Sequence, residues 1–209
     1  MLDAAEAWDP PSIRDTCALF DGAPFRWWIS GGHALELHTG RSWRDHDDID
    51  VGVCRDDHAN LRRWLDGWQI ALTAGGVLTE WDGAELVESM HHNNLWCRRD
   101  REGRWAIDVT IGSGTRKEWI YRRDSSIRRP WSAAVLYSAA RVPYLAPDLQ
   151  LLFKSASPRP KDDLDAAEVV PVSATTNAAV CETSSGSSIP GSRCSRGPEP
   201  DAQATNPAL

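Results

Sequence analysis

The sequence predicts an α+β protein: a small mixed β-sheet with flanking helices, then C-terminal helices, then a disordered tail. Three observations predict it. Short runs of alternating β-branched residues, at 48–53 and 105–111, are interleaved with stretches of helical spacing. After Pro130 the pattern becomes helical. All eleven tryptophans precede residue 132, and from Pro171 to Leu209 there is no aromatic residue. That last stretch of Ser, Thr, Ala, Pro and Gly cannot bury enough apolar surface to offset its ordering entropy. The expected organisation is a core over 1–130, a helical part over 131–170 and a low-complexity tail over 171–209.

Taken in order, Phe25–Ile29 reads as a first strand. Ser30-Gly31-Gly32 is a turn, and His33–His38 begins a short helix that Gly40 ends. A strand follows from Asp48 to Val53. Asp56 or Asp57 then caps a helix that carries Leu61, Trp64, Leu65 and Trp68 on one side. Gln69–Thr73 and Ala84–Glu88 are expected strands. Asn94–Arg98 and Arg104–Ile111 flank a polar turn that ends in Gly103, which reads as a β-hairpin. Helices are expected over Ser132–Ala140, Pro147–Ser155 and Pro160–Val170, with Pro147 and Pro160 in first-turn positions.

Composition narrows the function classes. A net charge of −7 disfavours a non-specific nucleic-acid binder, which needs a basic field. No apolar run is long enough to span a membrane, and the N-terminus lacks the apolar segment of a signal peptide. The five cysteines (Cys17, Cys54, Cys97, Cys181, Cys194) are scattered, with neither metal-ligand spacing nor a disulfide framework. A cytoplasmic location is the expectation.

The chemistry concentrates in carboxylates on strands. Side chains alternate faces along a strand. Ile49, Val51 and Val53 therefore point to a core, and Asp48 and Asp50 point together to the other face. Two such carboxylates repel unless a cation lies between them, and a divalent metal held by oxygens is the usual reason to accept that repulsion. Alone, Asp-x-Asp also fits a solvated strand face. Asp108 repeats the design, with Ile107, Val109 and Ile111 on the opposite face. If the two strands are neighbours, three carboxylates converge. Upstream, Ser30-Gly31-Gly32 stands where a strand turns into a helix. Glycines there let backbone approach a ligand, and a helix N-terminus offers N–H groups to phosphate. Ser30 can cap the helix or bond a phosphate.

This arrangement resembles the nucleotidyltransferase superfamily of the DNA polymerase β type: Gly31-Gly32 at a helix start, Asp48-Ile49-Asp50 on the next strand, and Asp108 on a later one. The stretches 27–37 and 44–51 are most similar to the aminoglycoside 2″-adenylyltransferase-like group. Residues 144–154 and 160–165 also resemble the helical part of such proteins. The resemblance covers roughly residues 20–170. The helices expected beyond 170 are not legible.

The resemblance implies a metal-dependent transfer of a nucleoside monophosphate, AMP from ATP, to a hydroxyl of a small acceptor. It gives Asp48, Asp50 and Asp108 the catalytic and metal-binding roles, with two Mg²⁺ ions. Ser30, Gly31 and Gly32 would hold phosphates, and Lys154 or Lys161 would contact the triphosphate or else stand as solvated surface lysines. An aminoglycoside-like polycation is one candidate acceptor, with Glu80, Asp82, Glu85 and Glu88 as its acidic lining. The alternatives are a toxin that modifies tRNA or protein through the arginines at 98–104 and 122–129, or a non-catalytic nucleotide-binding relative. His46-Asp47 runs straight into a strand, so it reads as a loop-orienting, nucleotide-touching or simply solvated histidine rather than a phosphohydrolase metal pair. His91-His92 lacks a spaced partner and reads as a polar loop.

Overall fold

The computed structural model describes residues 7–86 and 94–184, with side chains as far as residue 172. Residues 1–172 form one compact unit, which holds everything discussed below. Helix α1 (Ile13–Phe20) starts at Ser12, whose hydroxyl accepts the Asp15 N–H at 3.1 Å. Strand β1 (Trp27–Ile29) leads through Ser30 into α2 (Gly31–Thr39), and Gly40 closes that helix. Strand β2 (Asp50–Cys54) follows a loop, so Asp48 stands just before the strand rather than in it. A 3-10 turn (Arg55–Asp57) then opens α3 (His58–Trp64), and neither Asp56 nor Asp57 caps it with a side chain.

Strands β3 (Gln69–Ala74) and β4 (Val77–Glu80) form a hairpin across Gly75-Gly76. The strand expected at Ala84–Glu88 is absent over 84–86, and its last two residues lie outside the described set, as do His91 and His92. The hairpin of β5 (Asn94–Arg98) and β6 (Ile107–Gly114) is as the alternation predicts. Strands β7 (Glu118–Ile120) and β8 (Arg128–Pro130) extend it.

The helix expected over Ser132–Ala140 is instead one turn, α4 (Trp131–Ala134), followed by β9 (Val135–Tyr137) and β10 (Pro143–Leu145). The β-branched and aromatic Val135, Tyr137 and Tyr144 are strand formers, and pairing beside β1 outweighs the local helical spacing. The helical part thus begins at α5 (Pro147–Ser155), with Pro147 in its first turn. Helix α6 (Pro160–Ser184) runs through Pro171, so the low-complexity stretch begins inside a helix. Residues 185–209, the rest of the expected tail, lie outside the described residues.

The sheet order is β4-β3-β5-β6-β2-β1-β10-β9, with β7 and β8 off β6. Two pairs are parallel, β2 with β6 and β1 with β10. On one face Ile49, Val51, Val53, Ile107, Val109 and Ile111 are all fully buried, against Phe20 of α1, Ala34 of α2 and Leu61 of α3. Each such side chain contributes roughly 1.5–3 kcal/mol. That is why these strands tolerate carboxylates on the reverse face. The reverse face packs Trp28, Trp119, Trp131, Leu145 and Leu149 into a second core. A Cβ on Gly52 would overlap the Trp28 ring, so glycine there lets the indole lie flat across β2.

Candidate active site

A cleft of about 440 Å³ opens over the Trp28 face of the sheet. Its apex is the turn between β1 and α2. The Ser30 N–H donates to the Asp50 carbonyl oxygen at 2.9 Å, which holds the turn beside β2. Gly31 has φ +67°, and a Cβ there would land on the Asp50 carboxylate. Glycine is therefore required twice, for the left-handed backbone and for the approach of Asp50. The Gly31 N–H donates to Gln150 Oε1 of α5 at 3.0 Å. Ser30 occupies the N-cap position but makes no side-chain capping bond, and it is buried in the cleft wall. Gly32 backs directly onto Arg44 and His46, where a Cβ would collide with both.

The carboxylates meet across the parallel pair. Asp50 stands in register with Asp108, and both line the cleft with Asp48. Asp108 is 8% exposed, and its Oδ1 accepts from Asn94 Nδ2 at 2.7 Å. Burial, then the neighbouring Asp48, push the Asp50 carboxyl up to about 7, against the pull of Lys154, Lys161 and Arg159. Burial and Asp50 likewise raise Asp108 well above the usual carboxylate range. Adjacent carboxylates whose charges oppose one another fit a hard divalent ion such as Mg²⁺.

The cleft also has a basic wall, held by the acids Asp162 and Asp165 of α6. Asp165 of α6 is fully buried. Its carboxylate accepts Arg44 Nε and Nη2 at 2.8 and 3.0 Å, Trp43 Nε1 at 2.9 Å, and pairs with Lys154 Nζ at 3.0 Å. Burial alone would raise Asp165, but the hydrogen bonds from Arg44, Lys154 and Trp43 outweigh it and hold the group at about 2. Asp162 takes Lys154 Nζ at 2.7 Å and Arg159 Nε at 3.0 Å. Lys154 is thus a buried, doubly paired lysine rather than a free surface cation. Lys161 and Arg159 also line the cleft.

Among the described residues, the three ligand-type side chains drawn within 4.8 Å of one another are His33, Glu36 and His46 rather than the aspartates. Hydrogen bonding explains this set. Arg44 Nη1 lies 3.0 Å from His46 Nδ1, and arginine can only donate. The ring proton of a neutral His46 therefore sits on Nε2, 3.1 Å from Glu36 Oε1 although not well aligned with it. Glu36 also accepts Ser42 Oγ at 3.0 Å and the Trp43 N–H at 3.1 Å. His33 stacks on His46 with centroids 3.8 Å apart, and burial first, then His46, pull it down to about 4. The result is a tie from α2 through His46 and Arg44 to α6.

The structure brings Ser30, Gly31, Gly32, Asp48, Asp50, Asp108, Lys154 and Lys161 to one cleft. It leaves Glu80, Asp82 and Glu85 off it: Glu80 pairs with Arg101 on exposed β4, and Asp82 accepts the Ala84 N–H at 3.0 Å. Sequence reasoning missed Gln150, Asn94 and Asp165 as parts of the site. Each acts across more than ten residues of chain, and no local spacing marks it.

A family model described as aminoglycoside-2″-adenylyltransferase matches residues 12–169. No curated protein matches the sequence. Among solved structures, the lincosamide antibiotic adenylyltransferase LnuA with lincomycin bound is similar at 16% identity and TM-score 0.49, covering 75% of this chain and 93% of that one. ANT(2″)-Ia in complex with adenylyl-2″-tobramycin is similar at 13% identity and TM-score 0.48, covering 82% of this chain and 93% of that one. The Megavirus polyadenylate synthase is similar at 10% identity and TM-score 0.41, covering 80% and 33%.

Proposed function

Since the chain belongs to the aminoglycoside-2″-adenylyltransferase family, we propose that its cleft transfers AMP from ATP to a hydroxyl of a small acceptor, with a divalent metal. The observation that carries this is the register of Asp50 with Asp108 beside a glycine turn that only glycine can make.

In this reading the Ser30 hydroxyl and the glycine turn at the start of α2, which line the cleft, face the β- and γ-phosphates. Lys154 of α5, Lys161 of α6 and Arg159 between the two helices add positive charge, and the acids Asp162 and Asp165 fix Lys154 in place. Asp48, Asp50 and Asp108 would hold Mg²⁺, which when bound neutralises the attacking and leaving oxygens. The acceptor oxygen attacks the α-phosphorus, the bond to the bridging oxygen of the β-phosphate breaks, and pyrophosphate leaves. Asp108 receives the acceptor proton. Asn94 and Trp96 hydrogen-bond its carboxylate and fix its orientation toward the cleft.

The test is direct. The protein is incubated with ATP labelled at the α-phosphate, Mg²⁺, and separately a lincosamide, an aminoglycoside or total tRNA. Label should appear on a small molecule, be lost with EDTA and be lost in Asp50→Asn. Label on tRNA would move the acceptor to nucleic acid. Absence of metal-dependent nucleotide binding altogether would sink the reading.

A further inference from the structure

The end of the cleft away from the glycine turn is built by Arg122 and Arg123, which follow β7, and by Phe153 of α5. Both guanidiniums lie against the Phe153 ring, their Cζ atoms 5.3 and 5.9 Å from its centroid. Arg123 is anchored: its Nη1 donates to the Tyr121 hydroxyl at 3.3 Å and to the Phe153 carbonyl oxygen at 3.0 Å. Arg122 is not. Its Nε and Nη1 are withdrawn from water with no hydrogen-bond partner among the described residues. The charged groups acting on it are Arg123 and Arg55, both cations. A guanidinium stays charged when buried, so its unmet donors call for an acceptor that carries negative charge.

The acids of the cleft do not supply one. Asp162 is taken up by Lys154 and Arg159, and the three aspartates lie at the glycine-turn end. Nor, among the described residues, do free acids line this end of the cleft as a polycation would need. Glu80, Asp82 and Glu85 are elsewhere, and Glu88 lies outside the described residues.

We propose that this end of the cleft seats the acceptor by an anionic group, a phosphate or carboxylate on a hydroxylated molecule, with Arg122 as its ligand and Phe153 against its carbon skeleton. A polycationic aminoglycoside is disfavoured there. The proposal rests on the nucleotidyl-transfer reading only for the word acceptor.

The test uses the full chain with Mg²⁺ and α,β-methylene-ATP, titrated calorimetrically with glucose 6-phosphate, glucuronate or tobramycin. At least one anionic probe should bind, and bind more tightly than tobramycin. Arg122→Ala should weaken it roughly 10–100-fold, as expected for loss of a charge-assisted hydrogen bond, without weakening the nucleotide analogue. Arg122→Lys should restore part of the loss. Tighter binding of tobramycin, no binding of either anion, or loss of nucleotide affinity in Arg122→Ala would each overturn the proposal. If the nucleotide analogue fails to bind while Arg122-dependent anion binding persists, the anion seat stands and the nucleotidyl-transfer reading falls.

Discussion

Asp50 is held where its own charge is costly: half-buried in the cleft wall, in register with Asp108, and close to Asp48. A group kept at that cost serves the site rather than the fold. Asp50→Asn should therefore cut nucleotide transfer by about 10²–10³-fold or more, on the scale of losing a group that stabilises transition-state charge. The same change should stabilise the metal-free protein near pH 8 by on the order of 1–3 kcal/mol, read as a higher Tm, because the amide removes a like charge. A lower Tm would mean that the carboxylate supports the fold. Gly31 makes the opposite case. Its φ is +67° and its Cα faces the Asp50 carboxylate, so Gly31→Ala strains the backbone and displaces Asp50 together. A loss of roughly 1–3 kcal/mol in chemical denaturation is expected, with loss of transfer. An active, equally stable alanine variant would count against the described turn.

At the scale of elements, the site is where β2, β6, α2, α5 and α6 meet. Helix α6 contributes through buried acids. Asp165→Ala would strand Arg44 and Lys154 without their shared partner, at a cost of roughly 3–5 kcal/mol, or a fall in Tm of roughly 6–20 °C. A fall of under about 2 °C would show that α6 does not lock the basic wall. The strand-borne half of the site was legible in the chain because a period of two is local. Ile49/Val51/Val53 and Ile107/Val109/Ile111 announce which face is buried, and the aspartates follow by default. What alternation cannot state is which strands become neighbours. The parallel pairing of β2 with β6 spans three intervening strands, and the resemblance to a known family was needed to anticipate it. Strands β7 to β10 were missed for a related reason. They are three residues each, too short for alternation to show, and β10 enters the sheet through β1, more than a hundred residues upstream. Gln150 was hidden likewise: a helix glutamine has no special sequence context, and its bond to Gly31 bridges 119 positions.

For the whole molecule, two sets of carboxylates make stability depend on pH in separate windows. Asp165, held at about 2 by Arg44, Lys154 and Trp43, contributes stability above its ordinary pKa of about 3.9 and loses it only in strong acid. Asp50 works in the opposite direction. Its native value near 7 lies above the unfolded one of about 3.9, so the native state binds the extra proton between them. Stability from Asp50 is therefore complete below about pH 4 and lost as pH rises through 7. The metal-free protein should show Tm falling from pH 5 to pH 8, and Asp50→Asn should flatten much of that fall. A divalent cation binds the ionised carboxylates, so it competes with those protons. Added Mg²⁺ should raise Tm more at pH 8 than at pH 5.5, by an increment that grows with the logarithm of its concentration once the site saturates. Thermal scans across pH, with EDTA or Mg²⁺, in wild type and Asp50→Asn, read all of this in one experiment. An Mg²⁺ effect that is equal at both pH values, or that survives Asp50→Asn undiminished, would place the cation somewhere other than the paired aspartates of β2 and β6.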